Sequence, residues 1–125
     1  MYLLDTHALL WFLLSDSRLP EDKKNLIEDT QKVYVSVGSL WEIAIKQSIG
    51  KLKIKHSIVE IAEKCIEKNI VILPIHPEEL DKIKKLPDIH KDPFDRLFVS
   101  QAIRDNLIII TKDENIPKYP VESVW

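Results

Sequence analysis

Residues 1–7 read MYLLDTH, in which a short apolar segment ends at an acid, Asp5. Residues 1–4 have the length and composition of a buried β-strand, and the leucines that follow are spaced as on a helix, at Leu9, Leu10, Leu13 and Leu14. In open α/β sheets, binding and catalytic sites lie beyond the carboxyl ends of the strands. A strand that ends at Asp5 and leads into a helix therefore predicts an α/β fold and a candidate site residue.

Apolar segments of strand length alternate with segments of helical spacing along the rest of the chain. Further strands are predicted over residues 33–36, 70–75, 107–110 and, as a weak edge strand, 121–124. Helices are predicted over residues 20–29, 39–49, 57–69 and 93–106, with a short helix that starts at residue 77. The β-branched run at 70–75 is typical of a strand in the sheet interior. Because parallel strands need crossovers, this order predicts a mostly parallel sheet of four to five strands flanked by helices, in a single domain over residues 1–125.

The composition excludes several classes of protein. With 45% hydrophobic and 30% charged residues, the 125-residue chain is expected to fold as a soluble globular protein. The longest apolar run, residues 8–14, is too short for a membrane span, and the first residues lack the basic segment of a signal peptide, so we expect a cytoplasmic protein. Two glycines cannot form a Walker A loop or a GxGxxG turn, and the single Cys65 excludes an intrachain disulfide and a cysteine-rich zinc site.

Four acidic residues are expected to meet at one edge of this sheet. Asp5 follows the first strand and Asp113 follows the fourth. Glu42 and Asp95 are predicted in the first turns of two helices that border the same edge. Like charges about 4 Å apart repel by roughly 4 kcal/mol at an effective dielectric of about 20, so such a cluster needs a cation. Oxygen ligands without histidine or cysteine indicate Mg²⁺ or Mn²⁺, which could activate water against a phosphodiester.

Each of these acids also has a structural interpretation. Glu42 with Ser39 fits the capping box S-x-x-E, and Asp95 would favour the positive end of its helix. Asp113 could initiate a turn, and Asp5 could cap the helix that follows it. Four independent caps need not fall on the same side of a sheet, so a shared site explains their joint placement better.

Four motifs occur in order across nearly the whole chain. They are MYLLDTH at residues 1–7, SLWE at 39–42, HKDPFDR at 90–96 and TKD at 111–113. Together they resemble the motifs of PIN domains, most closely those of the prokaryotic VapC-like toxins of type II toxin–antitoxin pairs. The resemblance implies a Rossmann-like PIN fold, ribonuclease activity dependent on Mg²⁺ or Mn²⁺, inhibition by a small cognate antitoxin, and a homodimer.

The resemblance also implies roles for individual residues. The residues that match the family's acidic quartet are Asp5, Glu42, Asp95 and Asp113. We expect the first and third of these to bind the metal directly, and the second and fourth to bind it through water or to hold a second ion. Thr6 and Thr111 match the small hydroxyl residues that flank those acids. Asp92 is a second acid near Asp95, and the position within the stretch DRLFVSQA favours Asp95 as the ligand.

The basic residues near these motifs allow alternatives. Arg96 could pair with a site carboxylate, which we favour, or contact RNA. Lys46 and Lys51 belong to an acid-free segment that could contact a phosphate backbone or form a solvated face, although the net charge of −2 predicts no strong general affinity for nucleic acid. Lys46 also lies four residues after Glu42, so a helix ion pair would account for it.

Other candidate residues have a structural interpretation as the default. The four histidines show no H-x₃-H pairing, so structural or surface roles are expected for His7, His56, His76 and His90. Residues 11–14 are rich in apolar side chains, which favours core packing but could also serve a dimer or an antitoxin groove.

Competing functions differ in which acids they require. A phosphoryl-receiver domain needs an acid pair after the first strand and an Asp after the central strand, and a haloacid-dehalogenase-type phosphatase needs D-x-D where this chain has Asp5-Thr6-His7. Neither pattern is present. A catalytically silent PIN scaffold that binds a protein, and a housekeeping RNA-processing nuclease, both remain alternatives to a toxin.

Overall fold

A five-stranded parallel β-sheet forms the centre of the molecule in the computed structural model, which describes residues 1–125. Its strands are β1 (Tyr2–Leu4), β2 (Val33–Ser36), β3 (Ile70–Leu73), β4 (Ile108–Ile110) and β5 (Ser123–Val124). They lie in the order β3-β2-β1-β4-β5, and every neighbouring pair is parallel. The predicted parallel α/β architecture is confirmed.

Six α-helices and one 3₁₀ turn connect the strands. The helices are α1 (Thr6–Leu13), α2 (Glu21–Asp29), α3 (Val37–Ser48), α4 (Ile58–Glu67), α5 (Pro77–Ile83) and α6 (Pro93–Asp105), and the 3₁₀ turn covers Ile116–Lys118. None of them has both the length and the apolar composition that crossing a bilayer requires.

Two apolar cores lie on the two faces of the sheet. Consecutive residues of a strand point to opposite faces, and accordingly Leu4 and Ile110 belong to one core while Leu3 and Ile109 belong to the other. The first core is completed mainly by α1, α3 and α4, and the second mainly by α6. Burial on both faces explains why these strands are almost entirely apolar.

The position predicted for the third strand is wrong. The run at residues 70–75 was expected in the sheet interior, but β3 ends at Leu73 and lies at the edge, where Val71 is 50% exposed. β-branched residues favour extended backbone whether one neighbour is present or two, so the run identified a strand and not its place in the sheet.

The start of α3 also differs from the prediction. The helix begins directly after β2, with Ser36 as its cap: the Ser36 hydroxyl oxygen accepts a hydrogen bond from Gly38 N at 2.9 Å. Ser39 is therefore not the cap, no Ser39–Glu42 capping box exists, and Glu42 lies in the second turn. The earlier serine was available as a cap because the strand runs into the helix without a loop.

Gly38 allows α3 to approach α6 closely. A Cβ built at this position would lie 2.6 Å from Leu97 Cδ2, a side chain that is itself buried. Contacts this short force the two helices or their side chains apart.

We predict that Gly38→Ala lowers the stability of the protein, although alanine is the better helix former. Overpacking of this kind costs about 1–3 kcal/mol, more than the roughly 1 kcal/mol gained in helix propensity. Chemical denaturation measures the change. Ser48→Ala, at an exposed position of the same helix, is the control and should be neutral or slightly stabilising. An unchanged or higher midpoint for Gly38→Ala would contradict the close approach.

Candidate metal centre

An acidic cleft of about 450 Å³ opens at the carboxyl edge of the sheet, where β1 and β4 end beside α3 and α6. It is lined by all four predicted acids: Asp5, Glu42, Asp95 and Asp113. The other lining residues are Thr6, His7, Trp11, Lys46, Asp92, Lys112 and Glu114. The structure therefore brings the four acids together from remote parts of the chain, as the strand order predicts.

Asp5 is both a helix cap and a wall of the cleft. Its Oδ1 accepts a hydrogen bond from Ala8 N at 2.8 Å, and its Oδ2 accepts one from the Thr111 hydroxyl at 2.5 Å. The residue is only 6% exposed. Burial raises the pKa of Asp5 above its ordinary value, the nearby Glu42 charge adds to that rise, and the hydrogen bonds from Thr111 and Ala8 oppose it. The capping interpretation and the site interpretation thus apply to the same carboxylate.

Glu42 is held from two sides. The Thr6 hydroxyl donates to Oε1 at 2.5 Å, and Lys46 Nζ donates to Oε2 at 2.8 Å. Thr6 also lies within hydrogen-bond distance, 3.0 Å, of Ser39 Oγ, so the start of α1 is tied to α3 beside the cleft. The predicted ion pair between Glu42 and Lys46 is present and accounts for Lys46.

Asp92 and Asp95 have different surroundings at the start of α6. Asp92 caps the helix, because its Oδ1 accepts hydrogen bonds from Phe94 N at 2.9 Å and from Asp95 N at 3.0 Å. Burial raises the pKa of Asp95 to about 7, the charges of Asp92, Asp113 and Asp5 contribute to the rise, and a hydrogen bond with His90 opposes it. A carboxylate perturbed by burial and by three other acids is the expected position for a cation ligand, which favours Asp95 over Asp92.

Asp113 follows β4 in a turn. Its Oδ1 accepts a hydrogen bond from Asn115 N at 2.7 Å, and its own N–H donates to the Thr111 hydroxyl oxygen at 3.0 Å. The Thr111 hydroxyl therefore connects the backbone of Asp113 with the side chain of Asp5. Ligand atoms of Asp113, Asp95 and His90 all lie within 4.8 Å of one another, a separation that one cation can span.

His90 is the residue that the sequence analysis missed. Its Nε2 lies 3.2 Å from Asp95 Oδ2, and its Nδ1 lies 2.7 Å from the Tyr119 hydroxyl, so His90 is partly buried between these two residues and is not a surface residue. The spacing of the histidines relative to one another cannot identify a histidine whose partner is a carboxylate. The position of His90 five residues before Asp95, within HKDPFD, was the signal available.

The ion pair predicted for Arg96 is wrong. The Arg96 guanidinium donates to the carbonyl oxygens of Pro87 and Ile83 at 2.9 and 3.0 Å and to the Tyr119 hydroxyl at 3.1 Å, and it pairs with no carboxylate. Successive residues of a helix point about 100° apart, so the residue after Asp95 faces away from the cleft and toward α5. Lys51 is exposed in the turn after α3 and does not line the cleft.

The residues present fit a divalent cation. The cleft contains six acidic side chains against two lysines, Lys46 and Lys112, and the first of these is already paired with Glu42. Carboxylate oxygens are the ligands that Mg²⁺ and Mn²⁺ prefer, and a dication would offset the mutual repulsion that adds to the effect of burial in raising the pKa values of Asp5 and Asp95.

The chain is therefore a small α/β protein with an acidic cleft at the carboxyl edge of a parallel sheet. Residues 2–122 match the PIN domain, and the chain belongs to that family. No curated protein sequence matches the chain.

Solved structures with the same fold include several toxin–antitoxin proteins. VapBC2 from Rickettsia felis, bound to a DNA fragment from its promoter, has a TM-score of 0.69 at 16% identity, over 98% of this chain and 96% of that one. A toxin–antitoxin complex from Klebsiella pneumoniae has a TM-score of 0.68 at 19% identity, over 100% and 97% of the two chains. The sarcin–ricin-loop-cleaving toxin VapC20 from Mycobacterium tuberculosis has a TM-score of 0.69 at 12% identity, over 94% of each.

We predict that Asp95→Asn stabilises the metal-free protein at high pH and has a smaller effect at low pH. The pKa of Asp95 rises from 3.8 to about 7 on folding, so the folded state binds this proton more tightly than the unfolded state. In the wild-type protein, the contribution of this proton to the free energy of unfolding is fully present below about pH 4 and is lost as the pH rises through 7. Melting temperatures in EDTA at pH 5 and pH 8 measure the effect, with Asp88→Asn at an exposed position as the control. An equal gain at both pH values would contradict the assigned cause.

Proposed function

We propose that this protein is a metal-dependent endoribonuclease and the toxin of a toxin–antitoxin pair. The observation that carries the proposal is the convergence of Asp5, Glu42, Asp95 and Asp113 in one cleft of a PIN domain. The structural neighbours support it, since they include toxin–antitoxin complexes and a toxin described as cleaving the sarcin–ricin loop.

In this proposal Asp5 and Asp95 bind Mg²⁺ or Mn²⁺ directly, while Glu42 and Asp113 bind through water or hold a second ion. A divalent ion in such a site supplies a Lewis acid that lowers the pKa of water and offsets charge developing on a phosphate. The chain itself supplies orientation: Thr111 fixes Asp5 and Thr6 fixes Glu42, each by a hydrogen bond to one carboxylate oxygen.

The RNA backbone would be attracted by lysines at the rim of the cleft. Lys112 is exposed, lines the cleft and has no carboxylate partner within ion-pair distance. Lys46 is paired with Glu42, which reduces its expected share of phosphate binding, and a contribution from Lys51 stays a prediction because that residue lies outside the cleft.

We predict that Asp5→Asn abolishes RNA cleavage by the purified protein in the presence of Mn²⁺. The amide keeps the size of the side chain but removes the negative charge that a direct metal ligand needs. Gel analysis of total RNA measures cleavage, and calorimetry should show at least about tenfold weaker Mn²⁺ binding for Asp95→Asn, as expected for loss of a ligand. Asp88→Asn is the control for both.

The alternatives give different results in the same experiments. Full cleavage by Asp5→Asn would refute the mechanism, and a folded wild-type protein without Mn²⁺ binding at millimolar concentration would favour the silent scaffold. Induced expression in a bacterium separates the two nucleases: growth arrest that requires Asp5 and is relieved by a small antitoxin protein identifies a toxin, whereas normal growth favours an RNA-processing enzyme.

We further propose that the protein forms a homodimer through α3. Val37, Trp41 and Ile45 are spaced four residues apart along one side of this helix, Ile49 follows directly after its end, and all four are exposed, Trp41 by 59%. A two-fold axis pairs a surface with its own copy, so one apolar stripe is sufficient for a dimer contact. Of the apolar residues at 11–14, Phe12 is buried and Trp11 and Leu13 are partly buried against the core, whereas Leu14 is 40% exposed.

We predict that Trp41→Ser converts a dimer into a monomer, because large aromatic side chains supply much of the binding energy of such interfaces. Light scattering coupled to size-exclusion chromatography measures the mass. Ile66→Ser, which removes a side chain that is 68% exposed on α4, is the matched control and should remain a dimer. A monomeric wild type, or dissociation by Ile66→Ser alone, would contradict this interface.

A further inference from the structure

Tyr119 connects two residues, Arg96 and His90, beside the acidic cleft. It follows the 3₁₀ turn, is 3% exposed, and places its hydroxyl 3.1 Å from Arg96 Nη1 and 2.7 Å from His90 Nδ1. The backbone N–H of His90 also points at this hydroxyl, at 3.4 Å. The other imidazole nitrogen of His90, Nε2, lies 3.2 Å from Asp95 Oδ2. A continuous series of hydrogen bonds therefore runs from Arg96 to Asp95, although these two side chains do not touch.

The donors fix the direction of this series. Guanidinium groups and backbone N–H groups donate and never accept, so Arg96 and His90 N occupy the acceptor positions of the Tyr119 oxygen. The hydroxyl proton of Tyr119 is then free to donate, and Nδ1 at 2.7 Å is closer than the alternative acceptor, the His90 carbonyl oxygen at 3.4 Å. A neutral imidazole that accepts at Nδ1 carries its proton on Nε2. That proton faces Asp95 Oδ2.

Arg96, the first residue of the series, is held in place by groups outside the acidic cleft. Arg96 donates to the carbonyl oxygens of Ile83, at the end of α5, and of Pro87, and its guanidinium carbon lies 5.9 Å from the centre of the Tyr119 ring. A positive charge that donates to a hydroxyl strengthens the bond which that hydroxyl donates in turn.

We propose that Arg96, Tyr119 and His90 form a positioning chain that holds the Asp95 carboxylate, with His90 as a hydrogen-bond donor and not a metal ligand. The proposal rests on the proposed function in that Asp95 is taken as a ligand of the divalent ion. His90 provides the single hydrogen bond that side chains give to the Asp95 carboxylate, and it engages Oδ2, which leaves Oδ1 for the cation.

The arrangement opposes direct ligation by His90. A ligating Nε2 needs a free lone pair, which would move the imidazole proton to Nδ1 and require the Tyr119 oxygen to accept it. That oxygen already accepts from Arg96 and from His90 N. The proximity of His90, Asp95 and Asp113 within 4.8 Å is then explained by two carboxylates of the site and one donor that orients Asp95.

The tautomer of His90 tests the chain without any variant. Imidazole ¹⁵N and ¹H NMR at pH 8 on the labelled metal-free protein should show a protonated Nε2 and an unprotonated Nδ1, and the pattern should persist when Mg²⁺ is added. His90→Gln removes the signals and so assigns them among the four histidines. A proton on Nδ1, or loss of the Nε2 proton on addition of Mg²⁺, would overturn the proposal.

Tyr119→Phe tests the function of the chain by deleting one oxygen atom. We expect His90 to lose its tautomer preference and the Mn²⁺ dissociation constant to rise by about ten- to a hundredfold, the range typical for outer partners of metal ligands. Tyr34→Phe is the matched control, because it deletes the same atom from a hydroxyl whose single hydrogen-bond partner is Met1 Sδ, at 3.9 Å. Unchanged Mn²⁺ affinity in Tyr119→Phe would overturn the proposal.

Variants of His90 distinguish a donor from a packing residue. The amide N–H₂ of glutamine can donate to Asp95 as Nε2 does, whereas leucine fills the space without a donor, so His90→Gln should keep a higher Mn²⁺ affinity than His90→Leu. Equal losses in both would overturn the donor role. If the wild-type protein does not bind Mn²⁺ at all, the proposed function fails, and the tautomer of His90 still decides whether the chain exists.

Discussion

The parallel pairing of β1 with β4 is the constraint on which the acidic cleft depends. The register aligns Leu4 with Ile110, and the ladder continues for one more bond, from Asp5 N to the Ile110 carbonyl oxygen. The next residues of the two strands, Asp5 and Thr111, are therefore neighbours, and their side chains are hydrogen-bonded across 106 positions of sequence. A shift of this register by one residue would turn the Asp5 side chain to the other face of the sheet and separate it from the other acids.

Each of the four predicted acids in the cleft has its own hydrogen-bond donors, and these donors come from several parts of the chain. Asp5 is served by a backbone amide of α1 and by Thr111, Glu42 by Thr6 and Lys46, and Asp95 by His90. The donors satisfy individual oxygen atoms but do not supply enough positive charge to balance the cluster. This difference between satisfied hydrogen bonds and unbalanced charge is why burial and mutual repulsion still raise the pKa values of Asp5 and Asp95.

The parts of the fold that could be predicted from sequence are those that depend on local pattern. The strands at 33–36 and 107–110 and the acids that follow strand ends were accessible because burial on two faces produces apolar runs and because sites collect at the carboxyl edge. The edge position of β3, the cap at Ser36 and the direction of Arg96 were not accessible, since each depends on which partner is nearest in space. His90 was missed in part for the same reason: its partner Tyr119 is reached only through the fold, whereas its partner Asp95 lies five residues further along the chain and gave the one local signal.

The direct continuation of β2 into α3 fixes the side of the cleft that carries Glu42 more tightly than the side that carries Asp113. Ser36 is the last residue of the strand and the cap of the helix, so no connecting segment can absorb a rotation between the sheet and Glu42. Asp113, in contrast, lies in the segment between β4 and the 3₁₀ turn, outside any helix or strand. If the proposed divalent ion binds here, a difference in ionic radius, such as that between Mg²⁺ and Mn²⁺, would be accommodated by adjusting the backbone around Asp113, while Glu42 on α3 would keep its position.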